Sequence, residues 1–316
     1  MRRLFGFFAL FIYFFPSSAL AQGRIDCSLL QSHILKRNVH YCVQVPGNYD
    51  KKDAASREQR FPVLYYLHGL GDNEQSFSRS GGWTLIEDLR AQGKIGDFLI
   101  AAPEGFASFY INSADGSERY SDFFLREFVP SIEKKYRVLP GREARSVTGI
   151  SMGGFGAFRF AFAYPEMFSA VSAQSAALIL ETPEQLNALA QERASEAQDF
   201  FAPLLGDPIN VGHWKANDPF TLARKNKAAL KKTAIYFNCG QSDDFGFERG
   251  AAALDKLLSA ERIAHEYHPY PGGHSMTYFL AHLGEVIEFH SRAFARSSVT
   301  AEKQQIPPLP FGSASN

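Results

Sequence analysis

Short apolar runs alternate along the chain with longer amphipathic ones, and that alternation restricts the fold more than any other feature of the sequence. Residues 61–67 are a largely apolar run ending in His68-Gly69-Leu70-Gly71, the pattern of a buried strand; 83–92 read as a helix and 97–102 as a strand stopped by Pro103. Over 119–136, Phe124, Phe128 and Ile132 recur at four-residue steps on one helical face, and Pro130 predicts a kink. Residues 145–150 are a further strand, 152–164 a helix with Phe155, Phe158 and Phe162 on one side, and 168–172 the start of the next strand. Strands at 233–238 and 264–268, separated by a helix over 250–259, complete the set. Strands that alternate with helices pack as a mostly parallel sheet with helices on both faces, the α/β class.

The segment 177–232 breaks the rhythm. It is rich in Ala, Glu and Gln, and its apolar patches at 200–205 and 220–222 are too small for a core of their own, so it reads as an insertion over the sheet's carboxyl edge. One domain over 22–296 containing that insertion, followed by a loose Gln- and Pro-bearing tail at 297–316, is the expected organisation. The 316 residues balance 33 Lys and Arg against 33 Asp and Glu, with 45% hydrophobic content. That is the composition of a globular protein, and no basic block marks a nucleic-acid or anionic-membrane partner.

At the amino end, Arg2 and Arg3 precede an apolar run over 4–15, then Pro16 and the small-residue pattern Ala19-Leu20-Ala21. This reads as a signal peptide, residues 1–21, cleaved before Gln22, with a secreted or periplasmic product. A helix over the apolar run would reach roughly 18 Å against the ~30 Å of a bilayer core, so stable membrane insertion is not expected. Export permits a disulfide between Cys27 and Cys42, although a turn expected near 35–38 does not set them opposite; the other reading is two buried thiols. Cys239, at the end of an apolar run, reads as a buried small hydrophobe.

Gly149-Ile150-Ser151-Met152-Gly153 matches Gly-x-Ser-x-Gly. A chance match in a chain of this length is expected about 0.1 times at average Gly and Ser usage. Its place between a strand and a helix sharpens it: a nucleophile elbow presents a strained serine there, and glycines relieve the crowding. A serine hydroxyl needs a base and an orienting acid, in the chain order Ser, Asp or Glu, His. His274 follows the last strand within Gly272-Gly273-His274, and Asp243 and Asp244 follow Cys239-Gly240 at the end of the strand before it. All three positions fall at carboxyl ends of strands, the ligand-binding edge of open α/β sheets. His265 and His268 differ by an odd number along a strand and face opposite sides, which argues against a shared metal. Two oxyanion donors are expected from main chain, the N–H of Met152 and that of Leu70.

Together, His68-Gly69-Leu70-Gly71-Asp72-Asn73, Gly149-Ile150-Ser151-Met152-Gly153-Gly154, Gly240-Gln241-Ser242-Asp243 and Gly273-His274-Ser275 resemble the putative esterase family of the α/β-hydrolases. That family includes S-formylglutathione hydrolases, feruloyl and acetyl-xylan esterases, and antigen 85 mycolyltransferases. The resemblance implies the α/β-hydrolase fold with an insertion before the acid-bearing strand, Asp243 as the acid with Asp244 as its neighbour, and no metal or organic cofactor. It also implies that the segment 108–110 and Asn112 edge the substrate cleft. The signal peptide departs from a cytosolic formylglutathione role and points to extracellular or periplasmic esters. The expected function is an exported serine esterase acting on a small-molecule or carbohydrate-linked ester. Acyl transfer to an alcohol and a non-catalytic carbohydrate-binding role are the alternatives. In the insertion, Phe200, Phe201, Trp214 and Phe220 either line an acyl or aryl pocket or anchor the insertion on the sheet.

Overall fold

The computed structural model describes residues 22–51, 53–192 and 196–305. The expected leader therefore lies outside the described residues. Eight strands form one sheet: β1 Arg24–Ser32, β2 Arg37–Val45, β3 Val63–Leu67, β4 Leu99–Pro103, β5 Arg145–Ile150, β6 Ala170–Gln174, β7 Ala234–Gly240 and β8 Glu266–Tyr270, in the spatial order β1-β2-β4-β3-β5-β6-β7-β8. β3 to β8 run parallel, while the hairpin β1–β2 joins antiparallel through β4. β3, β4 and β6 are buried along their whole length, which is why β3 and β4 read as continuous apolar runs rather than alternating ones, while β6 buries the polar Ser172 and Gln174 as well.

Successive residues of β3 feed opposite faces. Val63, Tyr65 and Leu67 point into the larger core with Phe124, Phe128, Phe158 and Phe168, whereas Leu64 and Tyr66 join Phe77, Ile86 and Leu89 on the other side. The helix Met152–Ala163 covers the first face, and the helices Gly82–Ala91 and Met276–Gln305 cover the second. The last of these carries Leu283, Val286, Ile287 and Phe294 at helical spacing on its buried side. It runs to Gln305, past the point where the sequence places a loose tail; residues 306–316 lie outside the described residues.

Three local features differ from expectation. β1 ends at Ser32 and β2 begins at Arg37, so Cys27 and Cys42 are directly paired and joined by a disulfide with Cα atoms 4.1 Å apart. The turn is set by a distant residue: the Glu127 carboxylate accepts the N–H groups of His33 and Ile34 and the hydroxyl of Ser32, while Lys36 takes φ 55°. Secondly, the expected kink near Pro130 is a widened π turn over Phe124–Phe128, directly before the helix Val129–Lys135. Proline lacks an N–H and its ring crowds the carbonyl four residues back, so the ladder opens there rather than bending later. Thirdly, the segment between β6 and β7 is helical (Pro183–Glu192, Glu196–Leu205, Val211–Asn217, Pro219–Lys225 and Lys227–Leu230), and its Leu222, Ala223 and Leu230 enter the main core.

On the second face a buried polar chain crosses the sheet: Thr148 Oγ1 and Ser172 Oγ lie 2.7 Å apart, and Ser172 Oγ shares a second 2.7 Å hydrogen bond with His290 Nε2. Full burial disfavours the imidazolium and pushes the pKa of His290 down to about 3. The unfolded chain binds that proton near pH 6.5, so this group costs stability progressively as pH falls from about 6.5 towards 3 and nothing above it. The melting temperature is expected to decline less steeply between pH 6.5 and 4 in His290→Gln than in the wild type. Equal slopes in thermal melts across that range would refute the assignment.

Candidate active site

Ser151 occupies the bend between β5 and the helix Met152–Ala163 with φ 52° and ψ −117°, a backbone conformation that side-chain-bearing residues rarely adopt. Three main-chain bonds hold it there. Its N–H donates to Gln174 O at 2.9 Å, and its carbonyl accepts from Phe155 and Ala177, each at 3.0 Å. The flanking glycines are required by space: a Cβ on Gly149 would sit 2.3 Å from the Gly153 backbone, and one on Gly153 would sit 2.0 Å from Leu67 O. The helix therefore lies against β3 and β5 closer than any side chain permits.

The structure brings the three expected polar residues together. Ser151 Oγ lies 3.0 Å from His274 Nε2, and His274 Nδ1 lies 2.8 Å from Asp243 Oδ2. The Asp243 carboxylate is sealed from solvent and also accepts the Phe245 N–H at 3.0 Å. Burial works against its charge, but the bonds from His274 and the Phe245 backbone outweigh that and hold its pKa below the usual range. An ionised Asp243 accepts the Nδ1–H, which leaves Nε2 as the acceptor facing Ser151. Asp244 has a separate task, accepting the backbone N–H of His274 at 2.9 Å and so fixing the loop. Phe245, Phe247 and Phe279 stand roughly perpendicular to the imidazole, with centroids 4.8, 5.5 and 5.2 Å away. The sequence does not single out these rings or Asp244's role, because each depends on the fold bringing two loops together.

The loop bearing Leu70 is pinned from beneath. His68 is buried, its Nε2 accepts the Gly105 N–H at 2.7 Å, and its Nδ1–H donates to Gly69 O at 2.8 Å. Desolvation lowers its pKa, in keeping with this neutral tautomer. The Tyr110 hydroxyl donates to His68 O at 3.0 Å. Tyr110 is fully buried and so does not edge the cleft as expected; Phe109 does, and Asn112 lines a neighbouring polar cleft. Leu70 itself is half exposed, and the Phe245 and Met276 side chains are exposed as well.

One turn past Ser151, Phe155 opens onto a narrow apolar pocket walled by Phe109, Phe201, Trp214 and Phe220, with Asn217 and Asp218 among its few polar neighbours. Phe220 also packs against the main core, so it serves as both lining and anchor. The side chain of Phe200 lies outside the described residues. His265 and His268 stack on Phe237 and Tyr236 respectively, adjacent residues of β7 and hence opposite faces, and among the described residues no cluster is suited to a metal. Cys239 is buried, with its thiol pKa pushed up to about 12 by desolvation.

A parallel sheet with a hydrogen-bonded Ser–His–Asp chain at its carboxyl edge is the architecture of the α/β-hydrolases. The chain belongs to the putative esterase family of carboxylic-ester hydrolases, whose family model matches residues 32–289. It is 32% identical over 130 residues to an endo-1,4-beta-xylanase/feruloyl esterase of Xylanibacter ruminicola, a match covering 40% of this chain and only 18% of that longer protein. An acetyl esterase of Caldicellulosiruptor saccharolyticus is 26% identical over 269 residues, covering 83% of this chain and 96% of the relative. Among solved structures, a ferulic acid esterase superimposes with a TM-score of 0.72 at 25% identity, covering 86% of this chain and 99% of that one.

The glycine contacts carry a direct consequence. Gly153→Ala is expected to lose roughly 2–3 kcal/mol of stability through overpacking against the Leu67 carbonyl. A urea midpoint equal to that of the wild type would contradict the close approach.

Proposed function

We propose that the protein is an exported serine esterase that works through an acyl-enzyme, and the observation that carries this reading is the Ser151–His274–Asp243 hydrogen-bond chain at the elbow. His274 Nε2 takes the proton from Ser151 Oγ as the oxygen attacks the ester carbonyl, and Asp243 stabilises the imidazolium and fixes its ring. The developing oxyanion sits between the N–H groups of Leu70 and Met152; the second opens a helix and has no acceptor within it. His274 then hands the proton to the departing alcohol. Water, deprotonated by the same imidazole, releases the acid.

The aromatic walls of the pocket that Phe155 borders, one helical turn from Ser151, favour an aromatic acyl group over acetyl, and relatives named for feruloyl and acetyl esters span that range. Export rests on the leader pattern at 1–21, and the Cys27–Cys42 disulfide suits an oxidising compartment. No helix among the described residues is long and apolar enough to cross a membrane.

Ser151→Ala is expected to abolish hydrolysis of both p-nitrophenyl acetate and methyl ferulate in a folded protein, and Asp243→Asn to lower kcat by about 10³- to 10⁴-fold. Near-wild-type turnover by Ser151→Ala would overturn the mechanism, and a lower kcat/KM for methyl ferulate than for a simple alkyl ester such as methyl acetate would overturn the acyl preference. Intact-mass analysis of protein recovered from the periplasm or medium should show a chain beginning at Gln22. Recovery of the full-length chain in the cytoplasm alone would remove the export reading.

A further inference from the structure

Arg159 is the least expected charge in the molecule. It lies on the helix Met152–Ala163, eight residues and roughly 12 Å beyond Ser151, and only 7% of it is exposed. Its Nε donates to Asn217 Oδ1 at 3.0 Å and its Nη1 to Ser121 Oγ at 2.6 Å, both neutral acceptors. Its guanidinium also lies over the rings of Phe160 and Tyr164, at 5.3 and 5.5 Å. None of the ion pairs among the described residues includes it. No carboxylate is in ion-pair contact with the buried guanidinium, and the more distant Asp122 offsets its charge only in part, a costly arrangement in a fold that elsewhere pairs arginines such as Arg90 with carboxylates.

The charge borders an open cleft shared with Asn112, Ser113, Arg119, His213 and Asn217. Arg119 and Arg126 both turn to one carboxylate, Asp122, so the local anions are already spoken for. Asp115 also lines the cleft, but it is exposed and engaged by Ser113 and Ser117. Solvent screens an exposed carboxylate far more than it screens a sealed guanidinium, and Asp122, whose field also reaches Arg159, is shared with Arg119 and Arg126, so the cleft's base carries a net positive field.

We propose that this cleft is an oxyanion-binding site, distinct from Ser151, that takes a small carboxylate, sulfate or phosphate group on Arg159. The guanidinium suits such groups, and the Asn112 amide lines the same cleft, while the Ser113 hydroxyl is committed to Asp115. Asn217 couples the cleft to the apolar pocket, because it lines both and also donates to His213 O at 2.9 Å. An anion held here therefore bears on the pocket wall without touching the reacting atoms.

Isothermal titration of the purified protein with phosphate, sulfate and acetate, at constant ionic strength set by sodium chloride, reads the site without reference to catalysis. Saturable binding of at least one anion is expected, weakened at least about tenfold in Arg159→Lys and lost in Arg159→Met. If the Met variant does not fold, the Lys variant and an anion-specific rise in the wild-type melting temperature over chloride keep the test decisive. No saturable binding by the wild type, or unchanged affinity in a folded Arg159→Met, overturns the proposal. An ester whose acyl chain ends in a carboxylate separates the sources. A KM below that of the neutral ester, lost in Arg159→Met, marks a substrate-borne anion; equal KM values alongside phosphate binding mark a free one.

Discussion

No side chain fits between the helix Met152–Ala163 and the strands beneath it, and the geometry of the whole carboxyl edge follows from that exclusion. With Gly153 seated on the Leu67 carbonyl and Gly149 against Gly153, the chain must reverse over a single residue. The residue at the apex is forced to φ 52°, where its side chain projects from the sheet instead of into it. The strain is offset by the bonds to Gln174, Phe155 and Ala177, which draw on β6 and on the start of the inserted segment. The same packing therefore aims Ser151 and ties the inserted helices to it.

Around that apex, position is controlled mainly through backbone. Asp244 holds the main chain of His274, Phe245 N–H holds the Asp243 carboxylate, and His68 with Tyr110 holds the loop that contains Leu70. His68, Tyr110 and the Asp243 carboxylate are buried, so their bonds act in a medium less screening than water, whereas Asp244 holds its loop from an exposed position. A chain of hydrogen bonds from Asp243 to Ser151 with 2.8 and 3.0 Å links is what such preorganisation produces before any substrate arrives.

How much of this is legible in the sequence depends on where the deciding contact lies. The strand Arg145–Ile150 and the helix starting at Met152 are readable because local pattern and tertiary packing agree: apolar runs, then glycines at the crowded bend. Ser151, Asp243 and His274 are readable as a set because each follows a strand. The hairpin register is not, since Glu127 sets its turn from 94 residues away and a shift of one or two positions decides whether Cys27 meets Cys42. The π turn is only half legible: Pro130 announces a disturbance, but the phenylalanines packed against Tyr65 determine that the helix widens rather than breaks. Tyr110 misleads because it sits beside Phe109 in sequence, while positive φ at both residues sends one ring into the pocket and the other under His68.

The helix Met152–Ala163 concentrates these roles on consecutive turns. Ser151, Phe155 and Arg159 follow at four-residue intervals, one face that passes from the reacting hydroxyl to an apolar wall and then to a buried cation. Neutral packing alone would have placed an aliphatic residue at 159, as it did at 157 and 161. A guanidinium there bridges Ser121, in the helix Tyr120–Phe123, and Asn217, at the end of the inserted helix Val211–Asn217. The arginine thus ties the inserted segment to the body of the domain through its hydrogen bonds. A fold that keeps such a charge without a carboxylate in contact gains that tie at the expense of stability.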